Sequence, residues 1–201
     1  MRLPADLACA GRTVRVPLKL AACVGSVGWL AWAKASGCPW VARTCALFAG
    51  SGNLEALQWA REHNCPWDGE TGWSAAERGH LEVVEWLITD RADLNYARPP
   101  HGATPLYIAA QNGNLDVMQL LVDAAGGVNV NKALTGAGYT PLYVAVCHMR
   151  LDVVECLIDA PGVNVNQPSW NGTTPLEITI ANGHAAEAQR LRAAGAAEPR
   201  G

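Results

Sequence analysis

A chain of 201 residues and 21.3 kDa is long enough to form one domain around a buried core. Half of its residues are apolar and only 16% are charged, which excludes a disordered tail and a coiled coil. With 18 acidic residues against 15 basic, a formal charge of −3 and a pI near 5.9, it lacks the electrostatic footprint for gripping nucleic acid or an anionic membrane.

The 7 cysteines are an odd number and too sparse for a secreted disulfide scaffold, so a reducing, cytoplasmic location is expected, with the nucleus as the alternative. The apolar, charge-free stretch 20–33 is shorter than the roughly 20 residues a membrane-crossing helix needs. Arg12, Arg15 and Lys19 ahead of it and Ala33-Lys34-Ala35 behind it also fit a signal peptide. The competing explanation is that the stretch belongs to a repeat.

A shift of 27 residues lays Trp32-Ala33 on Trp59-Ala60 and then on Trp86-Leu87, Gly25 on Gly52 and Gly79, and Cys38-Pro39-Trp40 on Cys65-Pro66-Trp67. Farther on the marker becomes Thr104-Pro105-Leu106, Thr140-Pro141-Leu142 and Thr174-Pro175-Leu176, spaced 36 and 34 residues apart. Periods of this size mean stacked supersecondary units. Six can be threaded, with Thr-Pro slots at 16/17, 43/44, 70/71, 104/105, 140/141 and 174/175.

Each unit reads as two short helices. The first opens at Thr-Pro, where a hydroxyl caps an orphan N–H and proline is preset for the first helical position. It ends near a glycine such as Gly113 or Gly183. The second carries apolar residues at helical spacing, as in Leu81, Val84, Leu87 and Ile88, or Leu115, Met118, Leu121 and Val122. Helices this short are marginal alone and need neighbours to stack on.

Thr104-Pro105-Leu106-Tyr107-Ile108-Ala109-Ala110, Gly113-Asn114-Leu115-Asp116-Val117 and Ala92-Asp93-Leu94-Asn95 together resemble the ankyrin repeat, and the resemblance covers about nine-tenths of the chain. Units one to three are similar to a shorter Gly-Cys-Pro-Trp variety. The resemblance implies an all-α solenoid of about six helix-turn-helix units over 16–196, a cap or lead-in at 1–15 and a tail at 197–201. Departures are Met149 in place of the helix-ending glycine, Arg43 and Glu70 in the Thr slot, and Thr71 in the Pro slot. They leave the helix starts of units two and three open.

Units four to six are reached by longer, Asn- and Gly-rich connections, which in the family form protruding hairpin fingers. Fingers are therefore expected at 95–103, 131–139 and 166–173, with a plainer helical stack before them. The second-helix pairs Trp32-Ala33, Trp59-Ala60, Trp86-Leu87, Leu120-Leu121 and Cys156-Leu157 have comparable summed volumes. Trp32, Trp59 and Trp86 are accordingly expected in the core, a ligand-stacking row being the alternative. Arg190, Glu187 and Ala185 give the last helix a polar outer side, as a solenoid end requires. The chain could instead be cut from a longer array.

No cofactor, metal or catalytic centre is expected. Cys38 and Cys65 occupy one slot in successive layers about 8–10 Å apart, beyond disulfide reach, and stay free thiols. Cys45 and Cys156 fall in core slots, and Cys23 and Cys147 in more exposed ones where a thiol can react. His63 lies near Cys65, but no second ligand pair follows. His80 and His184 follow the helix-ending glycine, where the family often uses His for a turn hydrogen bond; Tyr107 and Tyr143 take another slot with a similar role. Glu55, Glu82, Asp116 and Asp152 share one first-turn slot and complement the helix dipole rather than pair. Gly50-Ser51-Gly52 lacks the strand and lysine of a phosphate loop. Asn171-Gly172-Thr173 matches a glycosylation acceptor that also reads as a plain turn.

The expected function is a non-catalytic, monomeric protein-interaction scaffold. By the resemblance, its concave surface would bind a partner protein through Pro100, His101 and Ala103, with Gln111 and Asn112; then Ala137, Tyr139, Cys147 and His148; then Trp170, Asn171, Thr173 and Asn182. Trp170 is the sharpest candidate, since a Trp on a finger is costly to expose. Folding back on the neighbouring finger is its alternative. Two rival functions are an enzyme with Cys147 as nucleophile and His148 as base, and a substrate-receptor fragment of a larger protein such as a ubiquitin-ligase adaptor.

Overall fold

The computed structural model describes residues 27–37, 40–124 and 127–199. The lead-in at 1–15, the first Thr-Pro slot, Cys23 and Cys38 lie outside them. Eleven helices are present among the described residues: α1 (Val27–Ala35), α2 (Ala42–Gly50), α3 (Leu54–Glu62), α4 (Gly69–Arg78), α5 (Leu81–Thr89), α6 (Pro105–Asn112), α7 (Leu115–Asp123), α8 (Pro141–Cys147), α9 (Leu151–Ile158), α10 (Pro175–Ala181) and α11 (Ala185–Ala193). Their β structure is one isolated bridge, Arg98 to Ala103.

First helices pack in one row, α2 on α4, α4 on α6, α6 on α8 and α8 on α10. Second helices form another, α1 on α3, and α5 on α7, α7 on α9 and α9 on α11. The two helices of each unit pack on one another as well. This is the all-α repeat solenoid the periods predict, each hairpin burying its apolar face against the next.

The Thr-Pro units start as expected. Thr104, Thr140 and Thr174 are N-caps whose side chains accept from the backbone N–H of Tyr107, Tyr143 and Glu177 at 3.2, 3.1 and 3.2 Å, with proline in the first turn. In units two and three the helices begin at Ala42 and Gly69, two residues before the residues in the proline slot, Thr44 and Thr71. Without a proline to fix the first position, the helix extends upstream until Asp68, capping Glu70 N–H at 3.1 Å, or Val41 stops it.

First helices end on left-handed glycines, Gly79 (φ 73) and Gly113 (φ 79). Met149 sits in that region at φ 54 with a Cβ, and its side chain is 61% exposed. A left-handed conformation costs a non-glycine residue roughly 1–2 kcal/mol, and little packing would be lost. Met149→Gly is expected to raise stability by about 1 kcal/mol in a urea melt; an unchanged or lowered midpoint would show that the strain is relieved elsewhere.

The second residue of each second-helix pair, Ala33, Ala60, Leu87, Leu121 and Leu157, is buried. The first is not: Trp32, Trp59 and Trp86 are half-buried, as are Leu120 and Cys156. The indoles therefore flank the core instead of filling it, since the space between helix rows admits an Ala or Leu but not a whole indole. Trp59 and Trp86 pair with the Trp of the preceding Cys-Pro-Trp element, Trp40 to Trp59 at 5.6 Å and Trp67 to Trp86 at 5.8 Å between centroids, while Trp32 lies 6.0 Å from Trp29. Cys45 and Cys65 are buried.

An asparagine ladder ties the long units together. Asn95, Asn131 and Asn166 each donate to a glycine carbonyl of the next unit, Gly127, Gly162 and Gly195, at 3.2, 2.8 and 2.9 Å. Each also accepts a backbone N–H from Asn129, Asn164 and Ala197 at 2.9, 2.7 and 2.7 Å. At the far end α11 buries Ala188 and Leu191, while Arg190 pairs with Asp159 at 3.2 Å.

Candidate binding surface

Three tight hairpin tips stand where the fingers were expected. Arg98 N–H donates to Ala103 O at 2.9 Å, Leu134 N–H to Tyr139 O at 3.0 Å, and Ser169 N–H to Thr173 O at 2.9 Å. Each tip leans on the one before it: Thr135 N–H donates to His101 O at 2.9 Å and Trp170 N–H to Ala137 O at 3.0 Å. The fingers thus form a continuous row.

The first finger is fixed at its base. Arg98 pairs with Glu70 at 2.9 Å and lies 3.7 Å from the centroid of Trp73, coupling the finger to α4 where short units give way to long ones. The second finger is a floor of small residues, Thr135-Gly136-Ala137-Gly138. A Cβ on Gly136 would stand 3.8 Å from His101 Nδ1, and one on Gly138 would stand 2.3 Å from Trp170 Cδ1. The imidazole and the indole therefore flank this floor from either side. Trp170 folds back on its neighbour, as the alternative reading held, and is still 71% exposed. Both halves of that expectation apply to one side chain.

The candidate residues separate into two rows. Pro100, His101, Trp170 and Asn171 are exposed at the tips, with Ala103, Ala137 and Thr173 half-buried beside them. Asn112, Cys147, His148 and Asn182 are exposed, and Gln111 half-exposed, at the far ends of first helices. Helices of seven or eight residues separate the rows by roughly 10–12 Å. Asn112 also has a packing role, its side chain donating to Glu77 O at 2.8 Å. Tyr139 is half-buried and stacked on Tyr143 at 4.6 Å. None of the 13 residues is an Asp, Glu, Lys or Arg.

Tyr107 and Tyr143 are buried and structural. Burial pushes the Tyr107 phenol up to about 12. Burial also raises Tyr143, with Ser169 and Thr173 of the third finger acting in the opposite direction. His80 makes the turn bond, Nε2 to Gly50 O at 3.1 Å. His184 does not: its Nε2 is buried without a partner.

A family model described as ankyrin repeats (3 copies) matches residues 44–134 and again 73–169, together more than half of the chain. The chain belongs to the ankyrin repeat family. A comparison with curated proteins finds no match. Ankyrin repeats are generally protein–protein interaction modules and typically non-catalytic.

Within this ankyrin frame the chemistry-bearing residues take ordinary places. Glu55, Glu82, Asp116 and Asp152 each occupy the first turn of a second helix. Cys147 is exposed as expected, but desolvation raises its thiol above the usual range, against the expectation of a reactive nucleophile. His148 follows it directly on the helix end, where adjacent side chains do not face each other. Cys65, whose thiol donates to Val41 O at 3.8 Å, is lowered chiefly by a hydrogen bond from Cys45, which is raised by the same bond. That contact between helix α2 and the loop after α3 was not legible from cysteine spacing. No group of three or more metal-ligating side chains gathers among the described residues, and no helix there is long and apolar enough to cross a membrane.

Proposed function

We propose that this chain is a non-catalytic, monomeric scaffold that recognises a folded partner protein through its three fingertips and the exposed first-helix ends, with a repeat domain over 16–196. The observation that carries this reading is Trp170, 71% exposed at the end of a finger row fixed by backbone hydrogen bonds. An indole held rigidly in water is costly unless a partner covers it, and rigid aromatics dominate binding hot spots. None of the 13 candidate residues carries a formal charge, so contact through them is apolar and hydrogen-bonded, with weak salt dependence. Buried free thiols at Cys45 and Cys65 suit a reducing compartment, the cytoplasm or nucleus.

Trp170→Ala combined with His101→Ala is expected to abolish capture of the cross-linked partner from cells of the source organism while the circular-dichroism melt stays within about 0.5 kcal/mol of the parent. Loss of fold together with capture would mean that these side chains pack rather than recognise. Undiminished capture would remove the fingertips from the interface.

A further inference from the structure

We propose that the turn ending α8 is a built-in joint. The seam between units five and six opens there while its opposite end stays tied, because Met149 occupies the space that a cross-unit hydrogen bond needs. The joint is independent of the fingertip reading and would work whatever the surface binds.

Three seams define the bond that is missing. In each, the residue that caps a second helix reaches back to the preceding unit, to the carbonyl two residues before the position that ends its first helix. His80 Nε2 lies 3.1 Å from Gly50 O; Asn114 Nδ2 donates to Glu77 O at 3.2 Å and to Ala76 O at 2.8 Å; Arg150 Nε donates to Gln111 O at 3.3 Å. Each reaching side chain lies over the helix-ending glycine of the preceding unit. A Cβ there would stand 2.7 Å from His80 at Gly52, 3.0 Å from Asn114 at Gly79 and 2.9 Å from Arg150 at Gly113. These approaches are well inside the roughly 3.5–4.0 Å of an ordinary contact, so the bond needs a residue without a side chain.

The fourth seam repeats the backbone but not the residue. Met149 takes the same left-handed conformation, φ 54 against 72, 73 and 79 at Gly52, Gly79 and Gly113, and brings a real Cβ. His184 stands in the donor position as the N-cap of α11, and by the register of the other three its target is the Cys147 carbonyl. It makes no such bond: its Nε2 is buried with no hydrogen-bond partner among the described residues. A buried nitrogen left unpaired keeps its desolvation cost without compensation, so this seam loses what the other three gain.

The opposite end of the same seam is intact. Asn166 donates to Gly195 O at 2.9 Å and accepts from Ala197 N–H at 2.7 Å, and Arg190 pairs with Asp159 at 3.2 Å. Tied at that end and unpinned at the turn, α10 and α11 can swing away from α8 and α9. With α10 as a lever roughly 10 Å long, a modest tilt alters the spacing between Cys147 and His148 at the end of α8 and Asn182 at the end of α10, all three exposed.

NMR on the full, isotope-labelled chain tests the joint. The amides of His148, Asn182 and Gly183 are expected to show microsecond-to-millisecond relaxation dispersion, which Met149→Gly reduces at least threefold while the His184 ring N–H becomes a slowly exchanging, observable proton. In the His184→Ala background, Met149→Gly leaves the dispersion in place. Absence of dispersion in the parent, or an equal reduction in both backgrounds, overturns the joint, since strain at Met149 would then act without a missing bond. A seam in the middle of the stack supplies the converse. Gly79→Ala is expected to speed exchange of the Asn114 side-chain amide protons about tenfold, by expelling the donor that the glycine admits. Should that variant not fold, Gly113→Ala reads the same loss at Arg150 Nε–H. Unchanged protection of the donor after either substitution also overturns the proposal, because a Cβ would then be compatible with the bond.

Discussion

Phe48→Ala is expected to destabilise the protein by about 3–5 kcal/mol, the range for truncating a core aromatic. Phe48 is fully buried on α2, a helix that lies closely against α4 because Gly50, Ser74 and Ala75 leave room between them. Trp40 packs on its ring at 6.4 Å. The cavity cannot collapse easily, since both helices are also held by their own partners in the second row. In a stack, the loss is felt first by nearest neighbours. Amide hydrogen exchange should therefore accelerate in α2 to α5 well before α8 to α11. A loss below about 1 kcal/mol by urea denaturation, or uniform acceleration along the chain, would contradict this placement.

Trp59→Ala is expected to cost about 2–4 kcal/mol, somewhat less than a fully buried Trp because one side of the ring faces water. Its indole is sandwiched between Trp40 at 5.6 Å and the His63 ring at 3.8 Å, and it covers the core beneath Ala60. Trp59→Leu should cost under about 1.5 kcal/mol, because Leu120 fills the equivalent slot of unit four. Equal losses for Ala and Leu in the same denaturation experiment would show that the ring pairing, not the volume, holds the unit.

The architecture was legible because its signals repeat. Thr-Pro caps, helix-ending glycines and apolar spacing recur in register, so an imperfect copy is corrected by its neighbours. The exceptions share a physical cause. The helix starts at Ala42 and Gly69 were left open because the slots that hold proline elsewhere hold Thr44 and Thr71, and threonine does not fix a first turn. The indoles were assigned to the core by volume, and volume says nothing about which of two neighbouring residues on a helix points inward.

For the binding surface, exposure at Pro100, His101, Trp170 and Asn182 followed from position within the unit. The contacts between fingers did not. They depend on the glycines at 102, 136 and 138 and on the carbonyls beside them, and backbone groups carry no residue-type signal. The Arg98, Glu70 and Trp73 cluster joins residues 28 positions apart in sequence, and nothing local marks it. The Asn95, Asn131 and Asn166 ladder could have been found, since the three share one slot at spacings of 36 and 35 residues.

Excision of residues 104–139, one whole unit, bears most directly on the single-file stack. The cut joins Ala103 to Thr140, so finger one precedes α8 and the register of caps, glycines and Asn ladder is kept. Interchangeable units predict a shortened protein that remains helical, melts cooperatively and re-forms the finger contact, with Trp170 now lying on Gly102 and retaining its fluorescence. Loss of the helical circular-dichroism signal, or of the cooperative transition, would mean that the core is shared across the whole chain and not handed from neighbour to neighbour.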